Sequence, residues 1–121
     1  MKTRQQFLFV LIFALFILGN ARHYMLPQIF TSTKTRAYNS NTKANLHNVY
    51  LACKAYWYDH GEDKSCDRPI FTATTYGYIQ SRDVRIDATG GENDFRAVAT
   101  NVQNGHWFRI NELGSIIEYQ P

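Results

Sequence analysis

Two cysteines, Cys53 and Cys66, have the most distinctive chemistry in this sequence. Their spacing is not the Cys-x-x-Cys of a redox pair, and a zinc site would need further thiolate or imidazole ligands close by. An even cysteine count in an exported chain indicates a disulfide, and this chain begins with the features of an export signal. We therefore predict a Cys53–Cys66 bridge, which closes a loop of about 14 residues and stabilises the fold by about 3 kcal/mol.

The histidines, carboxylates and serines show no catalytic or metal-binding pattern. The four histidines, at positions 23, 47, 60 and 106, are widely separated. Residues 59–63 could coordinate a cation, but a solvated loop of this composition is ordinary. Residues 90–94 carry oxygen atoms that suit Ca²⁺ but lack the regular spacing of a calcium loop, so a plain hairpin turn is favoured there. No serine lies in a Gly-x-Ser-x-Gly elbow. We expect no catalytic residue, no metal and no cofactor; a small exported enzyme without a recognisable motif is the weakest alternative.

The elements that must position these residues begin with an apolar N-terminal segment. Lys2 and Arg4 precede thirteen residues, 7–19, without a polar side chain. A positive flank before an apolar run is typical of an export signal. We assign to a membrane or filament-core helix the residues Phe7, Leu8, Phe9, Val10, Leu11, Ile12 and Phe13.

The first 21 residues are an export signal or a membrane anchor, and the sequence favours cleavage without excluding retention. At 1.5 Å per residue the apolar run spans about 20 Å, which is shorter than the ~30 Å hydrocarbon core. Small residues at positions 19 and 21 suit cleavage before Arg22. Residues 24–30 stay largely apolar, so a signal anchor could continue through them. We expect an exported protein that is either anchored in the inner membrane or periplasmic.

A helical period extends from about residue 28 to residue 60. Apolar side chains recur there at steps of three and four, which places them on one helix face. Pro27 marks a kink or the helix start, and Gly61 is a stop signal. The predicted buried face comprises Ala37, Ala44, Leu46, Val49, Tyr50, Cys53 and Trp57. The predicted polar face comprises Lys34, Arg36, Lys43, Asn45, Asn48 and Lys54.

Short strands separated by turn signals are predicted after Gly61. The pair Asn104 and Gly105, between two alternating segments, is a strong hairpin signal. The predicted strands are residues 76–81 (weak), 84–87, 95–102, 106–110 and 115–119. An antiparallel meander of three or four strands, over about 76–119, packs on the long helix and makes one α+β domain of residues 22–121.

Several stretches, taken in order, resemble type IV pilins and type II secretion pseudopilins. The matching stretches are residues 26–30, 34–39, 43–50 and 52–57. In that family an apolar helix continues past a proline into stretches similar to these, and an antiparallel sheet follows the helix. The resemblance covers about 26–119 and implies a pilin-like fold and a structural subunit of a type IV pilus or a type II secretion apparatus.

The N-terminus departs from the family pattern. Family members carry a glycine before the prepilin cleavage site and a glutamate soon after it. The usual spacing from Pro27 leads back to Gln5 and Gln6, and the first glutamate in the chain is Glu62. The missing carboxylate would lie in the apolar filament core. The departure favours a minor or atypical subunit, with a secreted pilin-like domain that partners a separate hydrophobic subunit as the alternative.

The resemblance also implies the partners. They are other pilin-like subunits and the inner-membrane assembly machinery, with the membrane itself contacted through the N-terminal helix if that helix is retained. An assembled filament would be extracellular. Tyr56 and Tyr58 are the candidate subunit contacts because tyrosine is enriched at interfaces, whereas Trp57 is expected in the core.

Nucleic acid is not an expected partner on the sequence alone. Beyond residue 21 the chain has 11 basic and 10 acidic residues, a net charge of +1, and no run of four basic residues. Binding to phosphates requires clustered positive charge, because each neutralised phosphate contributes through counterion release.

Overall fold

A computed structural model describes residues 32–121 of the chain. The predicted membrane segment 7–13, the predicted kink at Pro27 and the candidate cleavage site lie outside the described residues. Residues Arg36–Pro121 form one compact unit, which contains the whole sheet and most of the helix. Within residues 32–121, no helix has the length and apolar content of a membrane span.

One long helix and a four-stranded antiparallel sheet make up the fold. Helix α1 occupies residues 32–60, and the sheet has the order β1-β2-β3-β4, so each strand pairs with its neighbour in the sequence. The remaining elements are helix α2 (Arg68–Phe71), a 3-10 turn (Thr74–Tyr76) and strands β1 (Val84–Thr89), β2 (Arg96–Asn101), β3 (Trp107–Ile110) and β4 (Ile116–Tyr119). The predicted α+β arrangement is confirmed, with four strands in the meander.

The core lies between α1 and one face of the sheet. Side chains at alternate strand positions, such as Val84, Ile86 and Ile110, point toward the helix and are buried. From the helix, Leu46, Val49, Cys53 and Trp57 are buried as predicted. Each large apolar side chain buried here contributes on the order of 1.5–3 kcal/mol.

Two alanines of the predicted buried face are in fact exposed. Ala37 and Ala44 face solvent, while Thr42 and Asn45 are 0% and 4% exposed. Ala44 is two positions from both Thr42 and Leu46, which is about 200° around a helix, so it lies opposite the buried stripe. The prediction was wrong because it grouped residues by polarity, and two polar side chains occupy the stripe instead.

The predicted weak strand 76–81 is also wrong. Residues 74–76 form the 3-10 turn, and Gly77 follows with φ of 74°, a left-handed conformation that glycine adopts without a steric penalty. Tyr78 then enters the core at 6% exposure, and the N–H of Ser81 donates to Asn45 Oδ1 at 3.1 Å. This segment therefore satisfies part of its backbone through a helix side chain and not through a strand ladder.

Because Tyr78 is buried, its pKa is raised, and the stability of the protein should therefore depend on pH in the alkaline range. Desolvation raises the pKa of Tyr78 from 10.0 to about 12, with the nearby positive charge of Arg68 acting in the opposite direction. Because the pKa is higher in the folded state, the contribution of Tyr78 to stability is complete below pH 10 and is lost as the pH rises toward 12. We expect the unfolding free energy to fall across this interval, and Tyr78→Phe to remove that part of the fall. Urea titrations of both proteins at several pH values measure it; parallel profiles would contradict the prediction.

Candidate functional site

The predicted disulfide joins the end of α1 to the loop that follows it. The Cα atoms of Cys53 and Cys66 are 5.8 Å apart, and both residues are fully buried. Trp57 Nε1 donates to the carbonyl of Lys64 at 2.7 Å, and the N–H of Cys66 donates to the carbonyl of Gly90 at 3.0 Å. The bridge fixes the loop to the helix, the hydrogen bond to Gly90 fixes it to the β1–β2 turn, and the burial of both cysteines fits a structural role.

The turn at 90–94 is braced from within and from the disulfide loop. Asp94 accepts a hydrogen bond from the N–H of Gly91 at 2.7 Å, and the N–H of Glu92 donates to the carbonyl of Glu62 at 2.8 Å. Glu92 also pairs with Lys54 at 3.0 Å, and this hydrogen bond is the main reason that the pKa of Lys54 is raised. Among residues 32–121, no group of three or more His, Cys, Asp or Glu side chains could hold a metal ion.

The two tyrosines predicted as subunit contacts lie in different surroundings. Tyr58 is 92% exposed, whereas Tyr56 is half-buried between His60 and Tyr76, with ring centroids 4.9 and 5.7 Å away. Positions 56 and 58 are about 200° apart around the helix, so the two rings cannot share a face. Their role in a contact stays a prediction, and Tyr58 has the surface for it.

A hydrogen bond of 2.9 Å joins His60 Nε2 to the hydroxyl of Tyr76. Desolvation, followed by the negative charge of Asp59, raises the pKa of Tyr76. The cluster of Tyr56, His60 and Tyr76 thus ties the helix end to the 3-10 turn. Among the described residues no carboxylate hydrogen-bonds the His60 imidazole, so the pair of His60 and Tyr76 lacks the orienting group of a catalytic triad.

The face of the sheet opposite α1 has a different composition. We call it the arginine face. Its outward residues are Arg85, Asp87, Thr89, Arg96, Val98, Thr100, Trp107, Arg109, Ile117 and Tyr119. Strand register places Arg85, Thr100, Trp107 and Tyr119 side by side across the four strands. Most of these residues are exposed or half-buried, so this face meets solvent.

A cleft of about 620 Å³ opens at the β1 side of the arginine face. Val98 and Trp107 provide apolar surface, and Asp87 contributes a carboxylate. Three arginines, Arg68, Arg82 and Arg85, line it as well, together with Gln80, Val84 and Ile86. The volume lies within the range typical of small-ligand sites, and the lining combines apolar area with a few charged groups.

No protein-family model, no curated protein and no solved structure matches this chain significantly.

The arginine face was missed by the sequence analysis, which treated the basic residues as scattered. The alternation of side chains between the two faces of each strand was enough to indicate this face. Arg85 and Asp87 alternate with the buried Val84 and Ile86, just as Trp107 and Arg109 alternate with two buried residues of β3. Once the strands are assigned, alternation puts these polar and aromatic side chains on one common face.

Proposed function

We propose that this protein is a pilin-like structural subunit, minor or atypical, of a type IV pilus or a type II secretion apparatus. The observation that carries the proposal is the order of elements in one chain: a long helix up to residue 60, a disulfide-closed loop, and a four-stranded antiparallel meander packed on the helix. The family resemblance and the apolar N-terminal run support it. In this proposal the function is packing: the N-terminal helix enters a membrane or filament core, and the sheet domain faces neighbouring subunits.

The alternative is a secreted pilin-like domain whose membrane segment has been removed. The short apolar run and the small residues at positions 19 and 21 favour it. Such a domain would need a separate hydrophobic subunit to join a filament. Enzymatic activity is not proposed, because no described group of side chains combines a nucleophile, a base and an orienting residue; its absence stays an expectation.

Mass spectrometry of the mature N-terminus, on protein taken from the native cell envelope, separates the two proposals. A protein that keeps residues 7–19 and cofractionates with inner-membrane or filament material supports the subunit. A start at Arg22 contradicts an anchored subunit and supports the secreted domain. The same spectra, recorded without reduction, measure whether Cys53 and Cys66 are oxidised in that material.

A cysteine placed at position 58 tests the assembly surface. The sequence has two cysteines and the structure joins them, so Tyr58→Cys adds a thiol that is free to react. We expect a maleimide cross-linker to join this variant to another envelope protein, because Tyr58 is 92% exposed on the last turns of α1.

The matched control is Leu113→Cys, which replaces another large apolar residue, 78% exposed, in the β3–β4 turn. Equal cross-linking of the two variants would indicate random collision and would argue against a contact at Tyr58. Tyr58→Ala should also reduce assembly while leaving the thermal midpoint unchanged, because an exposed side chain contributes little to folding.

A further inference from the structure

Arginines that are far apart in the sequence lie close together on one surface of the folded protein. Residues 32–121 contain 10 basic and 10 acidic side chains, so their net charge is zero. Yet five of the six arginines in this part of the chain lie on the arginine face or line its cleft: Arg68, Arg82, Arg85, Arg96 and Arg109. Association with a polyanion depends on local charge and not on net charge.

These five guanidinium groups make no ion pair with any described residue. The two ion pairs within residues 32–121 involve Lys54 with Glu92 and His106 with Glu118. Arg68 donates instead to the neutral amide oxygen of Gln80 at 3.1 Å, and Gln80 in turn donates to the carbonyl of Val84 at 2.9 Å. Like charges gathered on one surface repel one another, and an anionic ligand would remove that repulsion.

Aromatic rings lie among these charges. Trp107 and Tyr119 occupy neighbouring positions on β3 and β4, with centroids 6.2 Å apart and planes at 61°. The guanidinium of Arg109 lies over the Tyr119 ring, 5.6 Å from its centroid, which holds that charge at the surface beside the ring. Trp107 also lines the cleft, next to the apolar Val98.

We propose that the arginine face and its cleft bind single-stranded nucleic acid. Unstacked bases would lie on Trp107 and Tyr119, and phosphates would contact the arginines, because aromatic platforms beside a basic groove are how proteins hold single strands. Asp87 is unfavourable for phosphate but accepts hydrogen bonds from the amino groups of bases. A nucleotide carries both an anionic phosphate and a base edge whose amino group donates hydrogen bonds.

A single strand fits this surface better than a duplex does. A duplex is read by a helix or a two-stranded ribbon that enters one of its grooves, whereas the arginine face is the surface of a four-stranded sheet. Stacking on Trp107 needs a base that is already free of its partner. The proposal opposes the expectation drawn from net charge, and it is independent of the structural role proposed above.

Fluorescence anisotropy with the full-length protein and a labelled deoxycytidine oligonucleotide of about 20 nucleotides, whose bases carry the amino group that Asp87 would accept from, tests the proposal. Arg82→Gln/Arg85→Gln should weaken binding at least tenfold and make the slope of log K against log salt less negative by about 1.4, since each phosphate contact on a single strand contributes about 0.7. The matched control is Arg36→Gln, on an exposed position of α1, which covers the opposite face of the sheet. It should bind like the unsubstituted protein.

Tryptophan fluorescence provides a second readout that a purely structural effect would not produce. Trp57 is buried and Trp107 is half-buried on the arginine face, so the oligonucleotide should quench Trp107 selectively, and Trp107→Phe should abolish the quenching. The proposal is overturned if no binding occurs at low salt, or if Arg36→Gln weakens binding as much as the double variant does. It is also overturned if a duplex or an acidic oligosaccharide competes as well as the single strand. Unchanged thermal midpoints establish that the variants are folded.

Discussion

Replacing both cysteines, in Cys53→Ala/Cys66→Ala, is expected to lower the free energy of unfolding by about 3 kcal/mol. The bridge closes a loop of about 14 residues, and its removal restores conformational freedom to the unfolded chain. The folded state loses packing too, because both cysteines are fully buried in the core beside Trp57. For a domain of this size, each kcal/mol shifts the midpoint of thermal unfolding by about 4–8 °C, so the shift should be about 12–24 °C.

Urea and thermal unfolding of the double variant and the unsubstituted protein measure this effect. The matched control is the unsubstituted protein with and without reductant: reduction should reproduce most of the loss, and the double variant should not respond to reductant. A loss below about 1 kcal/mol would indicate that the hydrogen bonds of Trp57 Nε1 to Lys64 and of Cys66 to Gly90 hold the loop without the bridge.

The α+β fold could be predicted because its periodicities are strong. Val84 and Ile86 alternate with Arg85 and Asp87, and Asn104 and Gly105 lie between two alternating segments that pair as β2 and β3. Such patterns encode a helix or a strand directly. The even cysteine count likewise predicted the bridge, on the expectation that the chain is exported.

The predictions for the buried face of α1 and for segment 76–81 were wrong because polar side chains make the contacts there. Thr42 and Asn45 occupy the buried stripe of α1, and their polarity hides this from any analysis that sorts residues into apolar and polar faces. Thr42 remains satisfied there because its hydroxyl donates to the carbonyl of Tyr38 at 2.8 Å. Segment 76–81 has the composition of a strand, but the partner of Ser81 is Asn45, 36 residues earlier, and no local pattern encodes that distance.

The candidate binding surface was predictable only in part. Strand parity could place Arg85, Trp107 and Arg109 on one face, but it says nothing about ion pairs or about the loop that brings Arg68 and Arg82 to the same cleft. The segment that carries Arg68 is held against the core at its two ends by the buried Cys66, which is bonded to Cys53, and by the buried Tyr78. The surface is therefore a product of tertiary structure, and net charge is a poor guide to it.

Asn45→Ala is expected to lower the free energy of unfolding by about 2–4 kcal/mol, because buried polar groups would lose their partners. Asn45 Nδ2 donates to Ser81 Oγ at 2.8 Å and to the carbonyl of Asn41 at 2.8 Å. Its Oδ1 accepts from the hydroxyl of Tyr78 at 3.0 Å and from the N–H of Ser81 at 3.1 Å. One side chain thus joins the helix to the segment that enters the core through Tyr78.

Urea unfolding of Asn45→Ala, with Asn48→Ala as the matched control, tests this role. Asn48 is an exposed asparagine on the same helix, so its substitution should change the unfolding free energy by less than about 0.5 kcal/mol. If the loss at Asn45 arises from unsatisfied partners, then Asn45→Ala/Tyr78→Phe should cost less than the sum of the two single variants, because it removes the unpaired hydroxyl as well. Additive losses would mean that the Tyr78 hydroxyl finds another partner. A loss at Asn45 no larger than that at Asn48 would show that packing on α1 alone holds segment 76–81.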